Sequence, residues 1–375
     1  MQNLEIVDAH HHLWNLDCNY YPWLVDKKEK DFFLGDYSAL KKNYLPKDYR
    51  TDAKNFNVIA TVHVEAEWDR SNQVGETTWL TKMNTKYKMP NAIVGHIWLS
   101  EKNCEEVLIE HNKHTLFRGV RSKPLTSSHP NDELPKGPGS MHDGAWKNGL
   151  SLLPEYNLSF DLRVPYWHLY EAAQVISELP QLSVVLNHTG FPWDRSPKGL
   201  SSWRHAMKVI SQCPNVSLKL SELGLKDAEW TIDSNRDVIL DAIDIFGVNR
   251  CMWASNFPVA GLRVSYENQL LGMLEILSHL PKPDIDRIFK FNAARFYKID
   301  LYEIFIKFTP LYVLMLSDFL YSIYLANYVI DYQNHEYFIY PHFILHFLYI
   351  IPIIYYLNKP LSPFIKNKND RIFLV

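Results

Sequence analysis

Short apolar or β-branched runs alternate, through the first 300 or so residues, with longer stretches whose apolar positions recur every three or four residues. The runs read as strands buried on both faces, and the stretches as amphipathic helices lying over them. Strands are predicted over 6–12, 58–65, 92–99, 117–123, 158–164, 183–188, 216–221 and 251–256. Helical periodicity falls over 74–87, 105–114, 145–156, 168–179, 203–212, 235–246 and 268–280. Eight strand–helix units of this size suit a closed (β/α)8 TIM barrel better than an open sheet, and no linker or repeat divides them. Such barrels place their chemistry at the C-terminal ends of the strands. Those ends are polar here, reading HHH, HVEAE, GHIWLS, RGVRSKP, FDLRV, LNHTG, LKLSELG and WASNFPV.

The pattern changes near residue 300. Residues 301–375 hold 19 of the 41 Phe and Tyr residues, one Arg, no Trp and no Gly. Segments 308–330 and 337–357 approach the length of a membrane-spanning helix. Pro341, Pro352, His342 and His346 interrupt the second, and tyrosines are scattered through both instead of forming interfacial belts. The expectation is a barrel over 1–299 and a hydrophobic Tyr-, Phe- and Ile-rich tail over 300–375, of a composition that translation of AT-rich sequence gives. Membrane contact follows only if that tail belongs to the protein.

Charge narrows the partners. With 39 Lys and Arg against 42 Asp and Glu, and no run of five like charges, the chain is not built to hold a nucleic-acid backbone. Cys18, Cys104, Cys213 and Cys251 form no CxxC pair, so free thiols are expected. The first residues carry no basic, apolar and small-residue series of a signal peptide, which makes a cytoplasmic location the expectation.

Candidate chemistry gathers at the strand ends. Strict alternation puts Asp8, His10 and His12 on one face of the first strand and His11 on the other. His188, closing the sixth strand, adds a third imidazole, and three such nitrogens can share one metal and leave a position for water. Glu65 and Glu67 share parity, as do Asp161 and Arg163, and Glu65 is the expected proton acceptor; an ion pair with Arg121, Lys123 or Arg163 is its plainer alternative. Arg121, Lys123, Arg163 and Lys219 would make the mouth positive and suit an anionic or polyhydroxylated substrate. Trp14, with Trp23, Trp68, Trp98, Trp167 and Trp193, offers ring faces for stacking.

The segments VDAHHHLWN, HVEAEWD, RGVRSKP, GLSLLPEYNLSFDL, VVLNHTGFP, PNVSLKLSELG, FGVNRCMWASNFPV and FNAARFYKI resemble, in order, the metal-dependent hydrolase barrels of the amidohydrolase-2 group. The nearest branch comprises lactonases resembling 2-pyrone-4,6-dicarboxylate lactonase and the rhamnono- and fucono-lactonases. The likeness covers about residues 4–299 and stops at the seam. It implies a hydrolase opening a lactone or cyclic ester of a sugar acid or pyrone-type carboxylate. His10, His12 and His188 would be the histidine set, holding one divalent ion, zinc first among candidates, or none; Arg121 would grip the substrate. Many members read GSDWP where this chain reads ASNFP, so Asn256 stands in place of an aspartate that serves as metal ligand or base. An amide takes no proton from water. The alternatives are a non-oxidative decarboxylase of the same superfamily and a barrel kept for ligand binding.

Overall fold

The computed structural model describes residues 4–26 and 32–301. Expectations that fall on the tail beyond residue 301 lie outside the described residues. Eight parallel strands run in chain order: β1 Glu5–His11, β2 Asn57–Val64, β3 Ala92–Gly95, β4 Phe117–Val120, β5 Ser159–Leu162, β6 Val184–Leu186, β7 Val216–Leu220 and β8 Cys251–Trp253. Each pairs with its sequence neighbour, and every crossover carries at least one helix. The seam between β8 and β1 closes through Asn256 N–H to His10 O at 2.8 Å and His12 N–H to Phe257 O at 2.8 Å. The chain is a (β/α)8 TIM barrel.

The outer ring includes α1 Pro22–Val25, α2 Pro46–Asp52, α3 Gly75–Tyr87, α4 Cys104–Asn112, α5 Gly144–Leu152, α6 Leu169–Ser177, α7 Pro197–Ser211, α8 Ile232–Phe246 and α9 Tyr266–Ile276. Local chemistry sets their ends. Pro197 opens α7 behind Ser196, whose hydroxyl accepts from Gly199 N–H, and Thr231 and Ser265 cap α8 and α9 in the same way. Gly247 ends α8 at φ +76°, a left-handed conformation that suits a residue without Cβ. The short α1 and α2, inserted between β1 and β2, have no counterpart in the predicted periodicity, because four to seven residues are too few to display one.

The strands are shorter than predicted at their C-terminal ends. There the chain leaves the ladder in left-handed turns, with positive φ at Glu67, His188, Thr189, Glu222 and Asn256, none of them glycine. Such conformations cost free energy and persist where the surroundings enforce them, which is common at functional sites. Val7, Val62, Val64, Val94, Val185 and Met252 fill the inside of the barrel, joined by Ala293, Ala294 and Tyr297 from the closing helix α10 Lys282–Asp286 and α11 Asn292–Phe296 region. All four cysteines are free, and no helix among the described residues is long and apolar enough to cross a membrane.

Candidate active site

A register shift between Asp8 and His11 decides which side chains of β1 reach the mouth. An extra residue in a strand reverses the alternation beyond it. His10 and His12 therefore converge, with Nε2 atoms 3.3 Å apart, while Asp8 is turned away from them. This corrects the shared face expected for Asp8. Its carboxylate accepts from Ser255 N–H at 2.9 Å, Ser255 Oγ at 2.5 Å and Tyr49 OH at 2.7 Å, and so ties β1 to the residues after β8. His11 packs on the same Tyr49, as its place on the outer face predicts.

The mouth is a cavity of about 500 Å³ lined by His12, His188, Asn256, Arg121, Arg163, Lys123, Arg70 and Glu67, with Trp23, Trp68, Phe32 and Phe33 at its apolar side. His12 is fully defined by its partners. Nδ1 lies 2.7 Å from the Val64 carbonyl, which only accepts, so Nδ1 carries the proton and Nε2 is the basic atom of the neutral ring. Burial first, then the Arg121 charge, hold the His12 pKa down at about 3. His188 sets Nδ1 3.1 Å from Ser221 Oγ, and burial followed by Arg163 and Arg121 keeps it well below the ordinary imidazole value. His10 lies deeper, its ring 4.6 Å from that of His188.

Glu65 is not free to take a proton. Arg121 donates from Nε to its Oε1 at 2.8 Å and Arg70 from Nη2 to its Oε2 at 2.8 Å. Burial alone would raise its pKa, but Arg70, Arg121 and Lys123 outweigh that and hold it well below the carboxylate range. The ion-pair alternative fits this geometry, with Arg121 bonded to both the carboxylate and the carbonyl of Glu65. Glu67 meets Arg70 at 2.5 Å and also Lys123. Among the described residues Arg163 makes no ion pair; its guanidinium lies over Phe191, 4.9 Å from the ring centre, and over Phe33 at 5.8 Å. Burial and Arg121 lower its pKa to about 10, so it stays charged at neutral pH.

Two expected contributors lie elsewhere. Lys219 is wholly buried inside the barrel, bonded to Asp161 at 2.5 Å, with Tyr297 OH 2.9 Å from the same carboxylate. Lys219 lies within β7, whereas Arg163 follows the end of β5. Trp14 is also buried and does not line the cavity; its Nε1 donates to Lys42 O at 2.7 Å, and it packs behind His12.

One carboxylate was missed. Glu222, in the LKLSELG segment after β7, accepts from Asn256 Nδ2 through Oε2, while its Oε1 is buried without a hydrogen-bond partner. Burial lifts its pKa to about 7 against the opposing pull of Asn256 and Arg163. The sequence signal was its place directly after a strand end; its left-handed φ of 47°, which aims it, is invisible in composition.

The donor set does not suit a divalent ion. No group of three or more His, Cys, Asp or Glu among the described residues is arranged to hold one. Asp8 and Glu65 are filled by hydrogen bonds or ion pairs, Asn256 supplies a neutral amide, and the Lys219 ammonium stands 3.5 Å from His10 Nδ1. Arg121 and Arg163 add further positive charge where a dication would sit.

Comparison with known proteins agrees with this architecture. Protein y4mH of Sinorhizobium fredii is 36% identical over 299 residues, covering 80% of this chain and 100% of that protein. An L-fucono-1,5-lactonase of Burkholderia ambifaria is 24% identical over 302 residues, covering 78% of this chain and 96% of its own. A Burkholderia multivorans amidohydrolase crystallised with zinc superposes with a TM-score of 0.65 at 23% identity, over 78% of this chain and 99% of that one. Residues 7–299 match the family described as amidohydrolase, and the chain belongs to that family.

Proposed function

We propose that the protein is a lactonase that opens a cyclic ester of a small carboxylate-bearing or polyhydroxylated acid by direct attack of water, with no metal ion taking part. The observation that carries this reading is the pairing, in one cavity, of a neutral His12 whose Nε2 is the basic atom with Arg163, a cation that makes no ion pair among the described residues. Arg163 would hold the substrate's anionic or hydroxyl-rich end, and Arg121, aimed by Glu65, would sit against the ring carbonyl.

Water between His12 and the lactone gives a proton to Nε2 as its oxygen bonds to the carbonyl carbon, and the carbonyl electron pair moves onto oxygen facing Arg121. Collapse of the tetrahedral species breaks the ring C–O bond. The departing alkoxide recovers the proton from His12, so lactone and water yield the hydroxy acid with the histidine unchanged. His188 lines the same wall and would orient the ring oxygen. The similarity to L-fucono-1,5-lactonases supports the substrate class, and the barrel over residues 1–299 would carry the whole activity.

The test is a pH-indicator assay of the full chain on a panel of aldonolactones and pyrone lactones, with released carbon dioxide measured in parallel. Acid release without carbon dioxide is expected, and His12→Gln should lose it while keeping the wild-type circular dichroism. Carbon dioxide release on carboxylated aromatic acids, with no lactone opened, would favour a decarboxylase and overturn the proposal.

A further inference from the structure

Asn256 occupies a position where an amide brings no base, yet its two ends are held in opposite senses. Its Nδ2 donates to Glu222 Oε2, and its Oδ1 lies 3.2 Å from His12 Nε2. In its ionised form the Glu222 carboxylate can only accept, and in that form it selects this orientation. Turned over, the amide would point Nδ2 at His12 and cap the basic atom with a hydrogen bond. As oriented, two acceptors face one another across 3.2 Å, an arrangement that becomes favourable only once His12 Nε2 carries a proton. With the Val64 carbonyl on Nδ1, Oδ1 gives the ring an acceptor at each nitrogen, which complements the imidazolium formed during water attack; His10 Nε2 lies 3.3 Å from the same Nε2.

We infer that Glu222 is a positioning residue for the hydrolysis: acting through Asn256, its carboxylate keeps Oδ1 turned to His12 and so stabilises the ring that has taken the proton. This rests on the lactonase reading with His12 as proton acceptor. Glu222 and Asn256 both hold left-handed backbone, at φ 47° and 54°, which brings the two side chains end to end.

The test is a charge swap within the full chain. Glu222→Gln removes the acceptor-only end and lets the amide turn, so kcat should fall about a hundredfold with KM within a few-fold of wild type. Asn256→Asp alone sets two carboxylates in contact, which must share a proton, and should be impaired as well. The double variant Glu222→Gln, Asn256→Asp restores one carboxylate and one amide in contact and should regain most of the lost kcat. Full activity in Glu222→Gln, or a double variant no better than the worse single, would overturn the inference. Urea unfolding of the same four proteins reads the contact without any substrate. Non-additive losses in the singles, recovered in the swap, are expected, and strict additivity would overturn the inference even if no lactone proves to be a substrate.

Discussion

His12, the proposed proton acceptor, illustrates how little of such a role lies in a residue's own chemistry. Its ring is made neutral by burial and Arg121, given its tautomer by Val64 O, and faced by an acceptor that Asn256 provides. Arg121 is equally dependent. Its Nε and Nη2 are spent on the carboxylate and carbonyl of Glu65, which leaves the rest of the guanidinium to the cavity. Glu65→Ala would strand Arg121, only 4% exposed, beside Arg163 with no counter-charge. Breaking a buried pair in this way costs roughly 3–5 kcal/mol. Urea unfolding should show a loss of that size together with a fall in lactone turnover, and a variant of wild-type stability would contradict the pairing. The identities of His10, His12, His188, Arg121 and Arg163 were legible in the sequence because each ends a recognisable strand. The partners were not: Glu65 reads equally as base or counter-ion until Arg70, five residues on, is seen to fold back onto it.

At the scale of the element, β1 carries the most information per residue. Its register shift sends His10 and His12 inward and leaves Asp8 to bind Ser255 and Tyr49, so that one strand supplies both the site and the latch closing the barrel. Alternation alone predicted the histidines and misplaced the aspartate, since a bulge leaves no mark in hydrophobic periodicity. Asp8→Asn keeps the shape but puts a donor where one of four donors now points. Leaving a buried hydrogen-bonding group unmatched costs about 1–3 kcal/mol, and the loss should appear as a lower urea midpoint. Faster hydrogen exchange should be confined first to the residues joining β8 to β1; exchange unchanged at that seam would contradict the latch. The strand ends were read correctly as the polar rim, but their left-handed turns redirect Glu222 and Asn256 toward each other in a way parity cannot foresee.

For the whole molecule, the alternation of strand and helix and the roughly 300-residue length sufficed to identify the barrel, because eight short apolar runs with amphipathic crossovers have few other solutions. The interior carries an unusual load of neutral histidine. His10, His11, His12, His63, His96, His111 and His188 are all held below the ordinary imidazole value, chiefly by burial. An unfolded chain takes up protons at these residues below about pH 6.5 while the folded chain does not, so stability is lost as pH falls through that value. Asp8, Glu76 and Glu222 work in the opposite sense, since their raised values favour the folded state as pH falls toward the ordinary carboxylate range. Seven histidines outweigh three acids. Urea midpoints should drop between pH 7 and pH 5, and a flat or rising profile would show that the histidines are protonated in the folded barrel.

The central claim is a hydrolase whose base is a neutral histidine and whose electrophilic assistance comes from arginine. The measurement that bears on it most directly is the initial rate of lactone hydrolysis by the full chain before and after exhaustive chelation, with the metal content of the same sample determined by mass spectrometry. The account predicts an unchanged rate at metal contents far below one per chain. A rate abolished by chelation and restored by zinc would contradict it.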